Sequence, residues 1–249
     1  MKRVTSKLKP VSGFSHLLHL LLTIIMPIIV FVLVRLSLVQ LAIVFVFLSK
    51  WRILSVRPRY WLPLVRANAV DLIVGISTII FMVNTSSGLI QLIWAMAYAL
   101  WLVLIKPSSS EFGIALQSFI AFLGGLIAVY LEWGGSTAVV IMVMVWLICY
   151  SVARHFFTAF DERHSAFLAN IWAFFGASVA WVTSFWLLYY QAISQVTLLL
   201  IVLGVGLATL YYLSQSDRLS KVLRWQIILI MLAVVIITLV FSDWGNKIV

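Results

Sequence analysis

Apolar runs dominate this chain, and the short polar segments between them alternate between rich and poor in Lys and Arg. A transmembrane helix needs about 20 predominantly apolar residues, with a range of about 17–25. The first run, Phe14–Val34, meets that length, with Pro27 as an internal kink that neighbouring helices can accommodate. The second, Leu36–Leu48, is short, and becomes long enough if Lys50 and Arg52 snorkel and the helix continues to about Val56. If it lies in the interface instead, eight spans remain and the basic N-terminal residues move outside, so nine is the preferred count. The other spans are expected at Ala67–Val83, Gly88–Ile105, Phe112–Leu131, Ser136–Ala153, Ala166–Tyr190, Ser194–Leu213 and Gln226–Phe241.

With nine spans, every one of the 17 Lys and Arg residues except Arg35 and Lys247 falls on one side. The positive-inside rule then puts the N-terminus in the cytoplasm and the C-terminus outside, as in a multi-pass cell-membrane protein. The expected fold is an all-α polytopic transmembrane helix bundle forming a single membrane domain over 1–249. Its parts are a basic tail 1–13, an N-terminal hairpin 14–56, a basic interfacial segment 57–66 and a main bundle 67–241. The tail carries Lys2, Arg3, Lys7 and Lys9, and no small-residue cleavage site follows it, so it reads as a retained signal-anchor.

Composition agrees. The chain is 64% hydrophobic and 10% charged, against roughly 25% charged in soluble domains. The net charge of +10 sits in short juxtamembrane segments. Anionic lipid headgroups, at about 1 kcal/mol per basic residue near the surface, fit that placement better than nucleic acid. Arg52, Arg57, Arg59 and Arg66, interleaved with Trp51, Tyr60 and Trp61, mark a cytoplasmic interfacial element contacting anionic lipid, and Pro58 and Pro63 argue against one continuous helix there. The single cysteine, Cys149, lies in a predicted span, so no intrachain disulfide or CxxC site exists.

Small residues predict close helix seams at Gly124 and Ala128, at Gly176, Ala180 and Ser184, and at Gly204 and Ala208. The hexapeptide Phe119–Gly124 resembles Ile171–Gly176, and both copies run in the same direction. That similarity is consistent with parallel helical-hairpin repeats, unlike the inverted repeats common in transporters. Chance likeness between two apolar helices is the competing account.

The densest polar stretch, Arg154–Ser165, holds His155, Asp161 and His164 as candidate catalytic or metal residues, with Arg154 and Arg163 placed to steady an anionic headgroup. On one continuous helix His155 and His164 would point about 180° apart. A three-ligand site therefore needs a break, and no Gly or Pro supplies one; a mixed-charge turn is the simpler reading. Asp71 is the sole acidic residue inside a predicted span, a substrate-contact or proton-coupling candidate. Capping its helix or pairing with Arg66 is the plainer account. Asn170, Ser178, Thr183, Ser184 and Gln117 are scattered polar groups, with Asn170 as a substrate-contact candidate. His16 and His19, three apart on the first span, are weak ligand candidates.

No lysine falls in mid-membrane, and HExxH, GxSxG and Walker A patterns are absent. No cofactor is implied, and whether the chain is an enzyme stays open. The favoured reading is a non-enzymatic transport-type or membrane-assembly component, with a membrane-protein partner or a second copy among its expected contacts. The alternative is a membrane-embedded enzyme or lipid-handling protein acting on anionic lipid at the cytoplasmic face.

Overall fold

A computed structural model describes residues 14–50, 57–184, 189–190 and 193–241. The described chain is nearly all helical. Helix α1 (Phe14–Arg35) turns through Ser37, at a φ of 59°, into α2 (Val39–Leu48). A 3-10 turn over Pro58–Tyr60 leads into α3 (Trp61–Ala67). Pro63 falls in the first turn of α3, where its missing N–H is not needed. Asn68 breaks the chain from α3 into α4 (Ala69–Val83), its side-chain amide donating to the Leu64 carbonyl at 2.9 Å.

Helix α5 (Gly88–Leu100) ends in one π-helical turn, Trp101–Ile105. Then come α6 (Glu111–Trp133), α7 (Ala138–Ala159) and α8 (Ser165–Thr183), a two-residue antiparallel pair β1 (Tyr189–Tyr190) and β2 (Ile193–Ser194), α9 (Gln195–Gln215) and α10 (Lys221–Val240). Three starts are fixed by serine caps whose hydroxyl oxygens accept an orphan backbone N–H two or three residues into the helix. Ser110 accepts from Gly113 at 3.0 Å, Ser194 from Thr197 at 3.1 Å and Ser220 from Leu223 at 3.1 Å.

Helices α4, α6, α7 and α8 form the spine; α1, α2 and α5 surround α4, and α9 carries α10 on the outside. The α7–α8 seam is the tightest because α8 presents Ala169, Ala173, Gly176, Ala177 and Ala180 there. A Cβ at Gly176 would lie 2.6 Å from the Cys149 sulfur, so glycine is what lets these helices touch. At the paired positions of the two similar hexapeptides the surroundings differ: Phe122 is buried while Phe174 is 72% exposed.

Six of these helices are long and apolar enough to cross a membrane: α5 with its π turn, and α6 through α10. Three shorter apolar stretches, Thr23–Arg35, Val39–Leu48 and Ala69–Val83, accompany them. Large apolar side chains such as Leu89, Phe112 and Val240 point outward while Asp71 is buried, the inverse of a soluble domain. A helical bundle with several such helices fits a membrane-embedded protein.

Element limits depart from the sequence expectation in four places: α7 runs on to Ala159, α10 begins already at Lys221, and α2 and α8 end otherwise than expected. Helix α2 has 10 residues, about 15 Å, and ends at Leu48, where Ser49 turns its hydroxyl onto the Val46 carbonyl. Helix α8 stops at Thr183 instead of running to Tyr190. Thr183 and Ser184 both donate to carbonyls of their own last turn, and the β-favouring Tyr189, Tyr190 and Ile193 then pair as strands. The basic tail 1–13, Trp51, Arg52 and Lys247 lie outside the described residues.

Candidate functional site

Consecutive helices of the main bundle run in opposite directions, so the start of α6, the end of α7, the start of α8 and the end of α9 meet at one end of it. Between those four half-helices lies a half-open cavity of about 870 Å³. Its walls are Phe112, Phe119 and Phe122 from α6, Val152, Phe156 and Phe157 from α7, Leu168, Trp172 and Phe175 from α8, and Ala208, Tyr211 and Tyr212 from α9. Ligand pockets generally measure about 300–1,000 Å³. Along α6 the groove reaches from Phe112 to Phe122, about 15 Å, which is half the roughly 30 Å hydrocarbon core.

Gly204 makes its floor. A Cβ there would sit 2.7 Å from the Phe122 ring and 3.0 Å from Trp172, so α9 touches α6 and α8 at this point. The two rings lie 6.1 Å apart. Towards the mouth, Ala208 and Tyr211 line open space instead of closing a seam.

An aromatic cluster bridges α7 and α9 at the mouth: Tyr211 meets Phe157 and Phe160 edge-on at 5.3 and 5.5 Å. Its phenol donates to Glu162 Oε2 at 2.5 Å and accepts from Gln215 at 3.1 Å. That bond, helped by the backbone N–H of His164, holds the Glu162 carboxyl below the usual carboxylate range.

Beside the groove, Gln117 ties four segments together. Its amide nitrogen donates to the carbonyls of Ile105, Lys106 and Ser108 at 2.8, 3.2 and 2.9 Å. Its carbonyl oxygen therefore faces His155 Nε2, 2.9 Å away, which assigns the proton to that ring nitrogen. Arg154 donates to the Ser165 hydroxyl at 2.5 Å, joining α7 to α8.

The helix does break between His155 and His164, despite lacking Gly or Pro. Asp161 supplies the turn by adopting a left-handed φ of 50°, a conformation that Asp tolerates better than most residues. The break does not gather the expected ligands. His155 is turned to Gln117, while Asp161, Arg163 and His164 are exposed beyond the helix end. Among the described residues no group of three His, Cys, Asp or Glu is placed to hold a metal ion. Asn170 is exposed and donates to its own helix at the Ala166 carbonyl, 2.8 Å away. Arg57, Arg59 and Arg66 are exposed, with the Arg59 guanidinium 4.6 Å from the centre of the Tyr60 ring. His16 and His19 lie on α1.

Asp71 is buried, as its place on a span implies, but its partner is not Arg66. Its Oδ2 is bonded to the Lys50 ammonium and lies 2.6 Å from that of Lys106, and its Oδ1 accepts from the Trp101 indole at 2.9 Å. The π turn makes this convergence feasible. In an α-helix, residues five apart diverge by about 140°. Here the Lys106 N–H bonds to the Trp101 carbonyl at 2.9 Å, and both side chains reach one carboxylate. Two ammonium groups against one carboxylate leave the knot net positive.

A smaller cavity of about 400 Å³ lies at the opposite end, lined by Arg35, Ser37 and Gln91 among others. Gln91 donates to the carbonyls of Met82 and Thr85 at 3.0 and 2.8 Å, closing the α4–α5 turn.

No known relative identifies this chain. No family model matches it, and no curated protein or solved structure is significantly similar to it.

Chemically, the Asp71 knot is a closed ion cluster joining α2, α4 and α5. The groove is different: apolar within, edged at its mouth by the Tyr211–Glu162 pair, and open on one side. Trp101, Lys50, Lys106 and the Glu162–Tyr211 pair were not singled out as partners from the sequence; only the placement of Asp71 in a span hinted at them.

Proposed function

We propose that this protein is a nine-span cell-membrane protein that holds an anionic lipid in the α6–α9 groove, as a non-enzymatic transport-type or membrane-assembly component. The groove carries this reading. It is one leaflet deep, its interior is apolar and aromatic, and its end is the one bearing the Lys/Arg-rich loops. On that topology it opens in the cytoplasmic leaflet, where acyl chains are the abundant apolar ligand. Arg154 and Arg163 at the neighbouring helix end offer positive charge to a phosphate. Against the catalytic alternative stands the separation of His155 from Asp161 and His164. Lipid handling without bond cleavage needs only the groove and its rim.

The test is native mass spectrometry of the detergent-purified protein titrated with phosphatidylglycerol. Wild type should retain one lipid through activation that strips the micelle. Ala208→Phe, which fills the groove, should lose it while keeping its melting temperature in lipid-free detergent. Undiminished retention by that variant would place the lipid elsewhere and end the proposal.

A further inference from the structure

Helix α8 has three faces. Ala169, Ala173, Gly176, Ala177 and Ala180 form the seam with α7, and Leu168, Trp172 and Phe175 wall the groove. The third face, carrying Phe167, Asn170 and Phe174, is left bare. Phe167 is 65% and Phe174 72% exposed, and Asn170 is exposed between them. An outward phenylalanine is ordinary on a helix that faces acyl chains. An outward asparagine is not, because hydrocarbon neither donates nor accepts a hydrogen bond.

Depth sharpens the problem. Helix α8 has 19 residues, about 28 Å, which matches the roughly 30 Å hydrocarbon core end to end. Asn170 lies about 7.5 Å along the axis from Ser165, the residue that Arg154 grips at the start of the helix. Its amide carries two N–H groups and a carbonyl. One N–H is used on the Ala166 carbonyl, 2.8 Å away, which leaves a donor and an acceptor on an exposed side chain. Other outward polar groups escape this. Ser178 and Thr209 each give their single O–H to a carbonyl of their own helix, at 2.8 and 2.7 Å. Gln226 of α10 is exposed as well, but it is longer by one methylene and stands two residues from Arg224, so it extends to the charged layer.

Whatever covers the bare face must offer a donor and an acceptor together. Lipid ester carbonyls only accept. A second Asn170 offers both, since two amides facing one another across a two-fold axis each give an N–H and receive one. Phe167, Asn170 and Phe174 also follow the three-then-four spacing of a helix seam, on which a single Asn fixes a parallel, in-register pair. Two copies inserted in one membrane with the same orientation meet in that sense. We infer that the protein pairs with a second copy of itself along α8, its Asn170 bonded to Asn170 of the partner subunit. The pairing face is separate from the groove wall, so the pairing does not rest on the lipid-holding reading.

Cysteine cross-linking in the membranes of expressing cells tests the pairing. Wild type, whose one cysteine is the buried Cys149, is the blank. Phe174→Cys, on the pairing face, should give a disulfide-linked dimer on oxidation. Leu229→Cys, on the exposed surface of α10, should give no more than the blank. Adding Asn170→Leu to F174C should lower the cross-linked fraction about ten-fold, the scale of a pair of interhelical hydrogen bonds. Adding Asn170→Gln instead should keep most of it. N170L alone should purify with wild-type helix content by circular dichroism, because the bond it loses lies within one helix turn. Cross-linking by F174C no stronger than by L229C, a dimer indifferent to N170L, or a cross-link to a different protein in place of a second copy would each overturn the pairing. Failure of N170L to fold would assign Asn170 to the stability of the single chain and overturn it too.

Discussion

The Asp71 knot and the α6–α9 groove lie in neighbouring parts of one bundle and treat their interiors in opposite ways. In the knot, three polar side chains, from the turn after α2, the π turn and the residue after it, fill the coordination of one carboxylate. In the groove, α9 touches α6 and α8 at Gly204 and the helices then part, leaving space walled largely by aromatic rings. The first arrangement is finished within the chain; the second leaves open the space in which we place the lipid. Stability should therefore depend on the knot and ligand retention on the groove.

The sharpest way to break that contrast is Asp71→Leu. Removing one partner of a buried ion cluster leaves charge uncompensated and costs about 3–5 kcal/mol. The melting temperature in detergent should fall steeply, and adding Lys50→Met should recover part of the loss. An unchanged melting temperature would show that the knot does not hold the fold. Trp101→Phe is milder: Asp71 Oδ1 loses its indole donor, for about 1–3 kcal/mol, again read as melting temperature. Ala208→Phe should do the reverse, leaving the lipid-free melting temperature within a few degrees while abolishing the stabilisation that added phosphatidylglycerol gives wild type.

The smallest effect belongs to the rim. The Glu162 carboxyl titrates below its ordinary value of 4.5, so its bond from Tyr211 is fully present above that pH and is lost as pH falls through the lowered value. Exposure keeps the contribution small. Wild type should lose slightly more stability than Glu162→Gln on acidification, and parallel melting curves across that range would show that the bond carries no weight.

What the sequence disclosed follows from the range over which each feature is encoded. Span length and loop charge are local, and most helix limits fell within a few residues of expectation. Helix α8 ended early because apolarity measures length but not where a Thr–Ser pair ends a helix. Asp71 drew notice for its own chemistry, yet its partners lie 21 and 30 residues away for Lys50 and Trp101, beyond any argument from spacing, so neighbouring Arg66 was the natural choice. Gly204 and Ala208 read as one seam because both are small. Only packing separates the glycine that makes contact from the alanine that lines a gap.

The π turn at Trp101–Ile105 sets the tolerance of this region to changes in length. It behaves as one residue more than an α-helix would hold. Deleting a single residue between Leu102 and Ile105 would let the helix revert to α geometry, as the intervening hydrogen bonds would then close at the ordinary spacing. The reach of Lys106 towards Asp71 and the carbonyls of Ile105, Lys106 and Ser108 that Gln117 gathers would then be rephased together. A one-residue deletion here is thus a rotation rather than a shortening, and a matching one-residue insertion nearby is the change most able to undo it.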